Sequence, residues 1–245
     1  MKIIGVMTED FRHFHRLVQS LKGRGQPFVS LGFGDPVPPS VGVIITTEAE
    51  RDRVDFPRVV AEAEAEAAID LALTVLRGGE RFQRVVMGID PGIRPGMAVL
   101  ADGKLVLERI VRTPEEVAQE ISRFVAHVEF STLLVRIGHG DPTNRDRTIR
   151  AIWDLVENIE VVDETSTTVQ DSVPDLRAAR SIAQTRGEPV VRKPQVSPKT
   201  GEIRNIQRLS RVESAGRVTI SYHLAEAVAK GEMTLREALR RQGSA

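Results

Sequence analysis

Three apolar runs in close succession constrain this chain more than any other feature. QRVVMGID (83–90), GMAVLADG (96–103) and KLVLERIV (104–111) are short, rich in strand-forming residues and bounded by turn formers, the pattern of β-strands. Asp102-Gly103, between the last two, is a two-residue hairpin turn, since both positions tolerate positive φ. TPEEVAQEISRFVAHV (113–128) follows at helical spacing, with Thr113 as N-cap, Pro114 in the first turn and Glu116 closing a capping box. TLLVRIG (132–138) reads as a fourth strand, NRDRTIRAIWDLVEN (144–158) as a helix and IEVVDE (159–164) as a fifth strand. The order βββαβαβ calls for one mixed sheet with helices against it.

The preceding residues have a different rhythm. An apolar start, Ile3 to Met7, leads into TEDFRHFHRLVQSLKGRG, where Phe11, Phe14, Leu17, Val18 and Leu21 recur at helical spacing. Thr8 is the expected N-cap and Gly23 the stop. PFVSL (27–31) and VGVIITT (41–47) are expected buried strands on either side of the loop GFGDPVPPS. This order predicts a small α/β sheet like half of a Rossmann-type domain. GFGD is no dinucleotide fingerprint, because the third glycine and the following helix are missing. Pro57 is expected to open a helix that runs to Gly78-Gly79, so the predicted domains are 1–78 and 83–232, with a C-terminal helix over 233–245.

Composition narrows the chemistry. The hydrophobic share is 41% and the charged share 28%, those of a globular protein. No apolar stretch reaches bilayer-spanning length, and the apolar start is too short for a signal peptide, so the expected location is the cytoplasm, with no membrane partner. Zero cysteines exclude disulfides, thiolate catalysis and thiolate zinc sites; carboxylates and five histidines are left as metal ligands. The formal net charge is zero, yet charge is unevenly placed. Residues 48–66 hold seven acidic residues against three basic, and residues 186–217 hold eight basic against three acidic. Within the latter, RKPQVSPKTGEIRNIQRLSR (192–211) reads as a mobile basic arm whose Arg192, Lys193, Lys199, Arg204, Arg208 and Arg211 would contact phosphates without reading sequence; the bland reading is a solvated loop. An aromatic share of 4% leaves no base-stacking platform.

Two motifs carry a family resemblance. The first is VVMGIDPG, in which Asp90 ends a strand before Pro91-Gly92; the second is LLVRIGHGDPTNRDRTIRAIWDLVENIEVVDETSTT, ending in Asp163-Glu164-Thr165-Ser166-Thr167-Thr168. Together with the element order they resemble the Holliday-junction resolvases of the RuvC and YqgF (RuvX) families, which have the RNase H-like fold. The resemblance spans about residues 83–230. It implies phosphodiester hydrolysis of branched DNA or structured RNA, with Mg²⁺ or Mn²⁺ held by a few carboxylates, and leaves a homodimer open. Asp90 maps to the first-strand aspartate and Glu164 to the glutamate of the Asp-Glu-Arg motif, with Asp163 supporting; the arginine of that motif is replaced by Thr165. The two motifs are expected to meet on adjacent strands. The family's third carboxylate, on a late helix, is sought in ISYHLAEAVAKG, where Tyr222 takes the aspartate position and His223 or Glu226 would complete the site.

Each residue also has a plainer role. Asp90 can form a turn before Pro-Gly, and Asp163 and Glu164 can end a strand ahead of a helix capped by Thr165, Ser166 or Thr168. His139, in GHGDPTNR, either touches phosphate or sits in a solvated loop, while Asp141 or Asn144 caps the next helix. The alternative to a nuclease is therefore a catalytically inactive RNase H-like protein that binds nucleic acid or a protein partner.

Overall fold

A computed structural model describes residues 2–78, 81–163 and 174–243. The first run folds as β1 (Ile3–Val6), and Asp10, not Thr8, caps the helix α1 (Phe11–Gly23): its carboxylate accepts from the N–H groups of Arg12 (2.9 Å) and His13 (3.0 Å). The Thr8 hydroxyl is directed instead to Glu50. Next come β2 (Phe28–Ser30), β3 (Val41–Thr46), a 3-10 turn (Glu48–Arg53), β4 (Val59–Ala61) and α2 (Ala65–Gly78). The helix expected from Pro57 thus starts later. Val59 and Val60 are β-branched and pair in parallel with Ile44 and Ile45, and Glu64 caps the delayed start by accepting from the Ala67 N–H at 2.7 Å.

These strands form a four-stranded sheet in the order β2-β1-β3-β4, every pair parallel. All six residues of β3 are buried, as a strand covered on both faces requires. Because β1 has β2 on one side and β3 on the other, the chain reverses direction across the sheet there, which is a topological switch point.

A second sheet has six strands in the order β10-β9-β8-β5-β6-β7. Its members are β5 (Phe82–Asp90), β6 (Gly96–Ala101), β7 (Lys104–Ile110), β8 (Phe130–Gly138), β9 (Ile159–Val162) and β10 (Glu188–Pro189). The β6–β7 turn is the expected one: Asp102 and Gly103 have φ of 47° and 77°. The Asp102 carboxylate also accepts from the Arg84 N–H at 2.9 Å, clamping the hairpin to the start of β5. β8 and β9 are parallel, and β10 is antiparallel to β9. The sheet is therefore mixed, and the protein is α/β. Helix α3 (Glu116–His127) falls where the sequence puts it; α4 (Pro142–Ile152) starts at Pro142, with Asp141 capping it through the Asn144 N–H at 3.1 Å, and ends six residues before the expected Asn158.

The remaining helices are α5 (Pro174–Gln184), α6 (Thr200–Glu213), α7 (Tyr222–Ala229) and α8 (Leu235–Gly243). Residues 200–211 of the expected basic arm are helical. Ile203 and Ser210 are buried on one face of α6, and Glu202 accepts from the Lys199 N–H at 2.8 Å and from the Thr143 hydroxyl at 2.7 Å, fixing the helix start to α4. Ile203, Ile220, Ala225, Ala229 and Ala238 form a separate small core among α6, α7 and α8.

The chain forms two compact units, one of Met1–Met87, Ala98–Glu108 and Glu120–Leu133, the other of Gly88–Met97, Arg109–Gln119 and Leu134–Ala245. The boundary expected near residue 78 falls inside the first unit. There Arg77 of α2 donates to Val106 O of β7 at 3.3 Å, and Arg123 of α3 pairs with Glu62 at 3.0 Å.

Candidate functional site

Asp90 is the last residue of β5, half-buried at the end of a strand whose residues 85 to 89 are all buried. Two residues earlier, Gly88 makes a close approach possible. A Cβ there would overlap Ala179 O and lie 2.5 Å from Ala183 N and 2.7 Å from Ala183 Cβ. The backbone of α5 therefore rests on the backbone of β5, which only a residue without a side chain allows. A part-buried ion pair fixes α5 in that place. Arg136 on β8 donates through Nε to Glu160 on β9 and through Nη1 to Ala183 O, both at 2.9 Å. Burial raises the Glu160 pKa, but the Arg136 hydrogen bond, the Gly187 N–H and nearby arginines outweigh it and leave it below the usual carboxylate range.

Asp163 directly follows β9 and is exposed. His139 donates its backbone N–H to Val162 O at 2.8 Å, and the structure brings His139 and Asp163 together with Arg186 in one cleft of about 530 Å³. The strands that carry Asp90 and Asp163 are not adjacent as expected: β8 lies between β5 and β9, so two interstrand spacings, about 9.6 Å, separate them. Crossover by way of α3 places the fourth strand beside the first, and the fifth then joins the outer side of the fourth. Glu164 lies outside the described residues, as do Thr165, Ser166 and Thr168.

His223 and Glu226 are on α7, which packs against α6 and α8 through Ala225 and Ala229. Both they and Tyr222 lie on the less buried side of that helix, Tyr222 being 50% exposed. Glu226 pairs with Lys230 at 2.7 Å, and that hydrogen bond holds its pKa low. The helix that meets β5 at Gly88 is α5, not α7. The signal that could have found this contact is the small pair Ala179 and Ala183, four residues apart, opposite a strand glycine. Among the described residues no group of three or more His, Asp or Glu is placed to hold a metal ion.

The basic residues divide into two groups. Arg192 and Lys193 line a cleft after β10 with Arg145 and Asp146, Lys193 pairing with Asp154 at 3.1 Å. Lys199 precedes α6; Arg204, Arg208 and Arg211 are exposed along one of its faces at spacings of four and three.

At the switch point of the parallel sheet the acids are already engaged. Glu9 pairs with Arg53 at 2.8 Å, and Glu50 accepts from Thr8, Thr47 and the Glu9 N–H. Burial opposes ionisation of Glu50, but these donors together lower its pKa to about 2. Burial also keeps the His13 pKa below normal.

Comparison with known families adds two partial matches. Residues 3–76 match a family model described as a response regulator receiver-like domain, and residues 199–244 match one described as a three helical bundle domain. Neither match includes Asp90, Asp163 or α5. No curated protein matches the chain.

Proposed function

We propose that the six-stranded sheet is an RNase H-like domain and that the protein is a metal-dependent, structure-selective nuclease of the RuvC/YqgF type, acting on branched DNA or structured RNA. The observation that carries this reading is the strand order β9-β8-β5-β6-β7, with Asp90 ending the central strand and Asp163 following the fifth. Ligands of open α/β sheets bind outside the carboxyl ends of the strands, and both carboxylates stand at such ends. Asp90, Asp163 and Glu164 are the residues that would hold Mg²⁺ or Mn²⁺, without His223 and Glu226, which stand on α7. Such an ion supplies a polarised phosphate and an activated water. The protein's own part is to set Asp90 rigidly at a buried strand end and to bring α5 against it through Gly88 and Arg136. Exposed arginines of α6 would bind phosphates.

Asp90→Asn keeps the shape of the side chain and removes its charge, so cleavage of a labelled four-way junction in Mn²⁺ should fall by about a hundredfold or more. Wild-type protein inert on junctions, flaps and RNA hairpins in both Mg²⁺ and Mn²⁺ would overturn the catalytic reading. A non-catalytic nucleic-acid-binding protein is the second reading, favoured by the placement of His223 and Glu226 on α7, a helix that packs with α6 and α8, and by the pairing of Glu226 with Lys230. It predicts that Asp90→Asn leaves junction affinity unchanged and that wild type does not cleave.

A further inference from the structure

A second concave site lies within the first unit, at the opening end of β5. It is a cleft of about 530 Å³, within the size range of small-molecule sites. Its charged lining is mostly cationic: Arg51 from the 3-10 turn, Arg58 ahead of β4 and Arg81 ahead of β5, with one carboxylate, Glu129. Arg51 donates to Val54 O at 3.4 Å and Arg81 to Phe130 O at 3.0 Å; neither guanidinium has a carboxylate partner among the described residues. Each has donors to spare, since a guanidinium carries five N–H groups in a fork that fits an oxyanion. His127 donates Nδ1–H to Arg123 O at 2.9 Å, the carbonyl being unable to donate, and so keeps Nε2 available. The floor is apolar, made by Phe82 and Val128, both buried.

We propose that this cleft binds a small phosphomonoester, its phosphate held by Arg51, Arg58 and Arg81 and its organic part resting on Phe82 and Val128. Charge selects the class. Three cations against one carboxylate match a terminal phosphate, which carries about −1.5 to −2 at pH 7, better than a carboxylate or a phosphodiester of single charge. Size and floor select a ligand with an apolar body over inorganic phosphate alone. The proposal is independent of the nuclease reading, because Asp90 is at the other end of β5 and lines no part of the cleft.

Titration calorimetry of the full chain with AMP, adenosine and inorganic phosphate tests it. AMP should bind saturably, phosphate more weakly and adenosine not measurably. Arg51→Ala combined with Arg81→Ala should weaken AMP by about tenfold or more, whereas Glu129→Gln should tighten it several-fold by removing repulsion. The second variant keeps the test sharp if the first unfolds, since Glu129 is exposed. Asp90→Asn should bind AMP like wild type. Absence of saturable binding by both AMP and phosphate would overturn the proposal, as would AMP affinity unchanged in both cleft variants. So would a duplex oligonucleotide that binds through Arg51 and Arg81 more tightly than AMP does.

Discussion

At the residue scale, Glu50 illustrates how one side chain can stabilise a local junction. It ties the loop after β1 to the turn after β3 by accepting from Thr8, Thr47 and the Glu9 N–H. Its pKa of about 2 in the fold, against 4.5 for an ordinary glutamate, makes it a source of acid sensitivity. A depressed carboxylate stabilises the fold above its unfolded pKa, and that contribution disappears as pH falls from about 4.5 towards 2. After allowing for partial solvent screening it is on the order of 2 kcal/mol. Urea denaturation of Glu50→Gln at pH 7 and pH 3 should therefore show a loss relative to wild type that is clearly larger at pH 7 than at pH 3. An equal loss at both values would mean that the carboxylate charge is not what stabilises the junction.

At the element scale, the decisive contact is between α5 and β5. Most helices keep about 10 Å from a sheet because side chains intervene; at Gly88 none does, and Ala179 and Ala183 are small on the facing side. Gly88→Val would push the helix away or displace the strand end that carries Asp90. A destabilisation of about 3 kcal/mol is expected, within the range of severe overpacking, measured as a shift of the urea midpoint. A neutral Gly88→Val would show that α5 is not seated there. Elements were legible in the sequence where local signals were strong: Asp102-Gly103 formed its turn, and Asp141 capped α4. Misreadings have physical causes. Val59-Val60 precede a run of Ala and Glu whose helical preference hides a short parallel strand, and Pro, Lys and Gly around 192–201 hide the apolar stripe of α6 that begins at Ile203.

For the whole molecule, neutral formal charge coexists with an exposed basic face on α6. If that face contacts duplex phosphates, each lost contact should reduce the salt dependence of binding by about 0.9 in log–log slope. Alanine at Arg204, Arg208 and Arg211 together should thus lower the slope by about 2 to 3 in fluorescence anisotropy with a labelled junction; an unchanged slope would place the contacts elsewhere.

The sequence alone determined the βββαβαβ order of residues 82–162, the hairpin, a cap from the Asp141–Asn144 turn for α4 and the position of Asp90 at a strand end, because these depend on residues near one another along the chain. Which strands lie side by side, which helix covers β5, and where three arginines and a glutamate converge were decided by tertiary structure. Those relations arise between residues 24 to 95 positions apart, such as Arg136 with Glu160 and Gly88 with Ala183, and no local periodicity encodes them. Asp90 could be read from GIDPG; the seat of α5 needed the missing Cβ of Gly88 to be set against a helix backbone.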